Sequence, residues 1–256
     1  MAAPADRAGT DAEISAEELR QKKRLLAQLV VHDLRSPLSA VSGYLELLRE
    51  ELRAAGTGAP DAARVGSYLD DCGTLLDKAL GLVSTILDVD ELEDGILRAR
   101  PTRFRVLETV EPARATSRAA FQMRQLRFEC AIPPGFEIEL DHDMFARVLE
   151  NLIDNSARYA PRGGRVVVTA ENVDGNLELM VANDGKAVPE SERKTIFGRY
   201  YQVEARRASA RANRGLGLYF CRLVAEAHGG SIAVEERGEL HAAFVLRVPQ
   251  PPRVEE

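Results

Sequence analysis

The apolar residues Val31, Leu34, Leu38, Val41, Leu45, Leu48 and Leu52 recur at alternating three- and four-residue intervals. This is the seam of a left-handed coiled coil or four-helix bundle. A second helical stretch repeats the alternation at Val65, Leu69, Cys72, Leu76, Ala79, Val83 and Ile86, after a loop over 54–60 whose Pro60, with Asp61, suits a helix start. Beside it, Tyr68, Leu75, Leu82 and Val89 form a stripe at strict seven-residue spacing. The apolar face is therefore wider than one helical hairpin can cover, and two antiparallel hairpins paired as a homodimeric four-helix bundle would bury it. Gly95 ends this helix and Pro101 marks a boundary.

Past residue 100 the period changes. Short strand-like runs are predicted at 126–132, 136–140, 165–171, 176–182, 231–235 and 242–248, with a hairpin turn at Val173-Asp174-Gly175-Asn176. Helices are expected at 141–160, opening at Asp141 and stopping at Pro161, and at 216–228, ending at Gly229-Gly230. Strands grouped with helices rather than strictly alternating give an α+β sandwich. The expected divisions are a disordered start (1–14), a helical domain (15–97), an α/β sandwich domain (98–250) and a tail (251–256).

Composition narrows the classes. With 256 residues, 45% hydrophobic and 29% charged, the chain has room for about two domains and can bury a core. A formal net charge of -6 argues against nucleic acid or an anionic membrane as the main partner. Cys72, Cys130 and Cys221 show no CxxC spacing, so neither a disulfide framework nor a zinc site is indicated. The first apolar stretch follows Asp6, Arg7, Asp11 and Glu13, and no run approaches the roughly 20 apolar residues of a membrane span. A cytoplasmic protein without a membrane span is expected.

Chemistry enters at His32. With Leu34 at heptad position d and Leu38 at a, His32 falls at b, off the seam and toward solvent. Asp33 can accept a hydrogen bond from one ring nitrogen, fixing the tautomer and leaving the other nitrogen as a nucleophile. Pro37 removes a backbone donor and is expected to bend the helix one turn further on. The run His32-Asp33-Leu34-Arg35-Ser36-Pro37-Leu38 resembles the H-box of sensor histidine kinases at all seven positions.

Four later segments resemble the nucleotide-binding boxes of the same family. Asn151 and Asn155, four apart in VLENLIDNSARYA (148–160), share a helical face, with Arg158 and Tyr159 one turn on. This stretch is similar to the family's N box, which implies Asn155 as the Mg²⁺ ligand, Arg158 as a phosphate contact in place of the commoner lysine, and Tyr159 beside adenine. Residues 181–189 resemble the first glycine-rich box, with Gly185 conforming. Asn183 stands where an aspartate usually accepts from the adenine amino group, and Ala187 where glycine is usual. Phe197 fits the family's phenylalanine box. Arg206, Arg207, Arg211 and Arg214 stud a lid-like segment (203–214) able to close over a triphosphate. Arg214-Gly215-Leu216-Gly217-Leu218 resembles the second glycine-rich box, opening a helix whose N-terminus would cradle phosphate. Asn213 replaces an earlier glycine there.

The resemblance covers roughly residues 15–250. It implies a helical hairpin forming a dimeric four-helix bundle, followed by an ATP-binding domain of the gyrase and histidine-kinase type. It further implies a soluble histidine kinase that autophosphorylates His32 from ATP with Mg²⁺, Asp33 orienting the ring and taking the proton, and then passes the phosphoryl group to an aspartate of a response-regulator receiver domain. Ser36, closing the tetrad Asp33-Leu34-Arg35-Ser36, supplies a hydroxyl able to hold a water for the reverse hydrolysis. Two alternatives stand beside this one. A dimeric phosphotransfer scaffold with a degenerate pocket is favoured by Asn183, Ala187 and Asn213. A conformational ATPase or serine kinase of the same superfamily is disfavoured, because Asn151 occupies the position of its general base and an amide cannot take a proton at neutral pH. The 14 residues before the first helix are too few for a sensor domain, so input is expected from a partner, a separate sensor subunit or the bundle itself.

Overall fold

A computed structural model describes residues 6–55, 61–199, 201 and 216–251; the side chains of 6–20, 22, 23, 25, 26, 28, 29 and 78, and those of His32 and Asp33, lie outside the description. The chain divides into two compact units, one built on the two long helices as far as Ile86 and one comprising Leu87–Arg199 and Leu216–Glu256.

In the first unit, α1 (Asp6–Ala55) and α2 (Ala62–Glu93) form a helical hairpin. Helix α1 begins at Asp6, inside the stretch expected to be disordered, and runs unbroken through a buried Pro37. Asp61 caps α2, its Oδ1 accepting from the backbone N–H groups of Ala63 at 3.0 Å and Arg64 at 3.3 Å. Tyr44 packs on Tyr68 with centroids 5.9 Å apart, and Cys72 Sγ lies 3.9 Å from the Val41 carbonyl. Leu48, Cys72 and Ala79 are buried in this contact. Leu38, Leu45 and Leu52 on α1 and Leu69, Leu76 and Val83 on α2 stay exposed, each set at seven-residue spacing. One hairpin thus covers one half of the seam and leaves the other half bare.

The second unit carries β1 (Thr102–Arg105), α3 (Leu107–Ala115), α4 (Arg118–Arg124), β2 (Arg127–Ala131), β3 (Glu137–Leu140), α5 (His142–Tyr159), β4 (Arg165–Val173) and β5 (Asn176–Asn183). After a 3-10 turn over Thr195–Phe197 come α6 (Gly217–Ala227), β6 (Ser231–Arg237) and β7 (Leu240–Pro249). The main sheet has the order β2-β4-β5-β7-β6, with β2 parallel to β4 and the other pairs antiparallel; β1 and β3 form a separate antiparallel pair. The β4–β5 turn has Asp174 at φ 52° and Gly175 at φ 78°, the two left-handed residues that a two-residue hairpin of matching twist requires.

Strand alternation defines the inner face. Val166, Val168 and Ala170 on β4 stand opposite Asn183, Val181 and Leu179 on β5, which in turn pair with Ala242, Phe244 and Leu246 on β7. All nine are buried, and α5 and α6 pack over them through Phe145, Leu149, Leu152, Ile153 and Phe220, each at most 1% exposed. This is the predicted α+β sandwich. Asp141 caps α5, accepting from Met144 N at 3.1 Å.

The last turns of α2, from Leu87, belong to this second unit, although the boundary was expected near residue 97. Ionic contacts explain the difference: Asp88 pairs with Arg147, Asp90 with Arg199 at 2.7 Å, and Glu93 with both Arg199 and the Tyr219 hydroxyl. Among the described residues no helix is long and apolar enough to cross a membrane.

Candidate functional site

The second half of α5, the end of β5 and the start of α6 converge. Asn151 and Asn155 lie on one face of α5, as their spacing predicts. Asn151 Nδ2 donates to the Arg147 carbonyl at 2.8 Å, which pins the amide. Its oxygen and Cγ then back onto Gly217, where a Cβ would lie 3.0 Å from Cγ and closer still to Oδ1. Gly217 is thus the glycine that lets the first turn of α6 approach α5. Asn155 is partly exposed, and its side chain makes no hydrogen bond among the described residues. That leaves its amide oxygen available as a hard, neutral metal ligand. Among the described residues no group of three or more His, Cys, Asp or Glu could hold a metal.

The β5 end is equally close-packed. A Cβ on Gly185 would lie 2.6 Å from Asn183 Oδ1, 3.1 Å from the Tyr159 carbonyl carbon and nearer still to the Tyr159 oxygen. The Gly185 N–H donates to Asn183 Oδ1 at 2.9 Å. Asn183 is fully buried on the inner face, in phase with Leu177, Leu179 and Val181, and its Nδ2 has no hydrogen-bond partner among the described residues. The neighbouring Asp184 is engaged with β4, its Oδ1 accepting from Arg165 N at 3.0 Å. A Cβ on Gly164 would come within 2.5 Å of that same oxygen.

Arg158 is engaged by Asp154 one turn back on α5, so contact with a phosphate would exchange one anion for another. Tyr159 is 43% exposed, and partial burial raises its phenol pKa, keeping it neutral and available for stacking. Phe197 is buried edge-on against Phe244, centroids 6.4 Å apart. Arg214, Gly215, Asn213 and the arginine-bearing segment 203–214 lie outside the described residues, as do the side chains of His32 and Asp33; Ser36 is exposed on α1.

Some participants carry no signal in sequence. Ser156, next to Asn155, is fully buried with an unpartnered hydroxyl. Arg147 stacks 4.6 Å over the Phe220 ring while pairing with Asp88, and burial lowers its pKa. Tyr219 donates to Glu93, and burial together with that bond pushes its pKa up to about 12. These contacts join residues far apart in the chain. No local spacing could reveal them.

The comparisons with known proteins agree with this geometry. The family described as His Kinase A (phospho-acceptor) domain matches residues 22–95, and that described as Histidine kinase-, DNA gyrase B-, and HSP90-like ATPase matches 140–252. Histidine protein kinase DivJ of Caulobacter vibrioides is 28% identical over 239 residues, 93% of this chain and 39% of DivJ. The chain spans about two fifths of the length of such curated relatives. Among solved structures, the Acinetobacter baumannii histidine kinase AdeS aligns with a TM-score of 0.58 at 20% identity, covering 86% of this chain and 98% of that one. The histidine kinase ThkA in complex with the response regulator protein TrrA aligns with a TM-score of 0.53 at 19% identity, covering 93% of this chain and 66% of that one. With both domains matched in order and the fold shared, the chain belongs to the sensor histidine kinase family.

Proposed function

We propose that this chain is a homodimeric protein-histidine kinase that autophosphorylates His32 from Mg-ATP and passes the phosphoryl group to a receiver-domain aspartate. The observation that carries the nucleotide half is the paired close approach at Gly185 and Gly217, where Asn183 and Asn151 fill the space a Cβ would take. Such fits bring the end of β5 and the start of α6 close against α5, beside an Asn155 amide with no partner among the described residues. The phosphoacceptor half rests on the seven-residue motif from His32 to Leu38 within α1.

In this scheme a ring nitrogen of His32 attacks the γ-phosphorus, the bond to the β-phosphate oxygen breaks and ADP leaves. Asp33 takes the ring proton. Asn155 would hold Mg²⁺, which when bound neutralises charge on the phosphates. Phosphohistidine then serves as donor to the receiver aspartate. ThkA, a structural relative, is known in complex with a response regulator, which supports that partner. The exposed rows Leu38/Leu45/Leu52 and Leu69/Leu76/Val83 support a second copy on the bare half of the seam; burying a single such side chain is worth roughly 1.5–3 kcal/mol.

The superfamily's water- or serine-activating chemistry is disfavoured by Asn151, whose amide is committed to Arg147 O and the Gly217 contact. A nucleotide-free phosphotransfer scaffold is the second possibility, favoured by the amide in place of a carboxylate at Asn183. Fluorescent-nucleotide titration with Mg²⁺ separates them. Binding by the wild type that is lost in Asn155→Ala supports the kinase. Equal affinity in both would make the asparagine pair structural, and no binding by the wild type would favour the scaffold.

A further inference from the structure

Asn183 closes a row of otherwise apolar inner-face positions on β5, Leu177, Leu179 and Val181, all fully buried. A polar group there needs a partner, from the protein or from a bound ligand. Its oxygen has one, the N–H of Gly185 at 2.9 Å. Its Nδ2 has none among the described residues. The amide cannot be turned over to change this, since that would set NH₂ against the Gly185 N–H, two donors face to face. Nor can Gly185 move away freely, being wedged against the Tyr159 carbonyl. The buried group therefore offers a donor in a fixed orientation. A second buried polar atom without a partner among the described residues is Ser156 Oγ on α5.

An aspartate at position 183 would offer two acceptors, one for Gly185 and one for an exocyclic amino group. The neighbouring carboxylate, Asp184, accepts from Arg165 N through Oδ1 at 3.0 Å. Adenine presents an amino group at its 6-position and would place N–H against the Asn183 N–H. A 6-oxopurine presents a carbonyl oxygen at the same position and would accept from Nδ2.

We propose that the base pocket takes a 6-oxopurine nucleotide, of the GTP or ITP kind, in preference to ATP, with Asn183 as the specificity-determining residue. The inference rests on the nucleotide-binding assignment above. A site whose donor is matched by an acceptor discriminates strongly against a ligand that leaves it unpaired, so a difference of roughly tenfold is expected.

The test uses the full chain with Mg²⁺ and trinitrophenyl-ATP as the displaced probe, whose bulky fluorophore on the ribose contributes much of its own affinity. Unlabelled ATP, ITP and GTP are titrated against it. ITP is the decisive competitor, because it differs from ATP only in the 6-oxo group and the N1 proton that accompanies it. The expected result is displacement by ITP at about a tenfold lower concentration than by ATP, with the order reversed in Asn183→Asp. Displacement by ATP at equal or lower concentration than ITP overturns the proposal, and this arm needs no variant. An unreversed order in a folded Asn183→Asp protein overturns the role of Asn183. If the probe does not bind at all, the nucleotide assignment itself falls, an outcome distinct from a wrong base preference.

Discussion

Replacing Gly185 by alanine tests the packing of the β5 end against α5 in the proposed nucleotide site. The new methyl group would lie 2.6 Å from Asn183 Oδ1 and 3.1 Å from the Tyr159 carbonyl carbon, with the carbonyl oxygen nearer still. The obstacle is backbone on one side and a buried side chain on the other, so neither can swing clear. Overpacking of this kind costs roughly 1–3 kcal/mol. Moving the Gly185 backbone also weakens its 2.9 Å bond to Asn183, worth about 1 kcal/mol. A total of roughly 2–4 kcal/mol corresponds to a Tm lowered by roughly 4–16 °C in a domain of this size. The matched control is Gly135→Ala, because no atom lies within 4 Å of a Cβ there and its stability change should stay within about 0.5 kcal/mol. The assay is thermal unfolding followed by circular dichroism, with nucleotide affinity measured on the same samples. If Gly185→Ala melts within about 2 °C of Gly135→Ala, or binds nucleotide as the wild type does, the close approach does not shape the pocket.

Gly217→Ala should weaken nucleotide binding because its methyl would meet the pinned Asn151 amide, and Asn151→Ala in the same chain should recover part of the loss; strict additivity of the two changes in a double-mutant cycle would refute the contact. Tyr219→Phe should destabilise the second unit by about 1–2 kcal/mol at neutral pH through loss of the bond to Glu93. Because the folded phenol titrates at about 12 rather than the ordinary 10.0, the wild type's advantage is complete below pH 10 and is lost as pH rises toward 12. Melting curves of both proteins across that range check the sign, and an advantage growing above pH 10 would contradict it.

Periodic features were legible in the sequence because they depend on local repeats. The heptad alternation from Val31 to Ile86 anticipated the hairpin, Asp141 and Pro161 bracketed α5, and Asp174-Gly175 marked the β4–β5 turn. Helix α1 extends back to Asp6 across a stretch with no apolar repeat, where periodicity gives no signal. β1, α3 and α4 were equally silent: the strand has four residues, too few to establish a pattern, and α3 and α4 are short helices of nine and seven. The site was legible as a set of residue types, with Asn151, Gly217, Asn183 and Gly185 brought together in pairs. What each does was not legible. That Asn151 backs Gly217 rather than facing outward, that Arg158 is paired with Asp154, and that Asp184 is spent on Arg165 are facts of three-dimensional register.

The central claim, that His32 receives a phosphoryl group from a bound nucleotide, is tested most directly by incubating the purified chain with Mg²⁺ and γ-labelled ATP or GTP and following label on the protein. The wild type should acquire label that is stable to base and labile to acid, as a phosphorus–nitrogen bond is. His32→Gln should acquire none while binding nucleotide as tightly as the wild type. Label persisting in His32→Gln, or acid-stable label on the wild type, would contradict the assignment of His32.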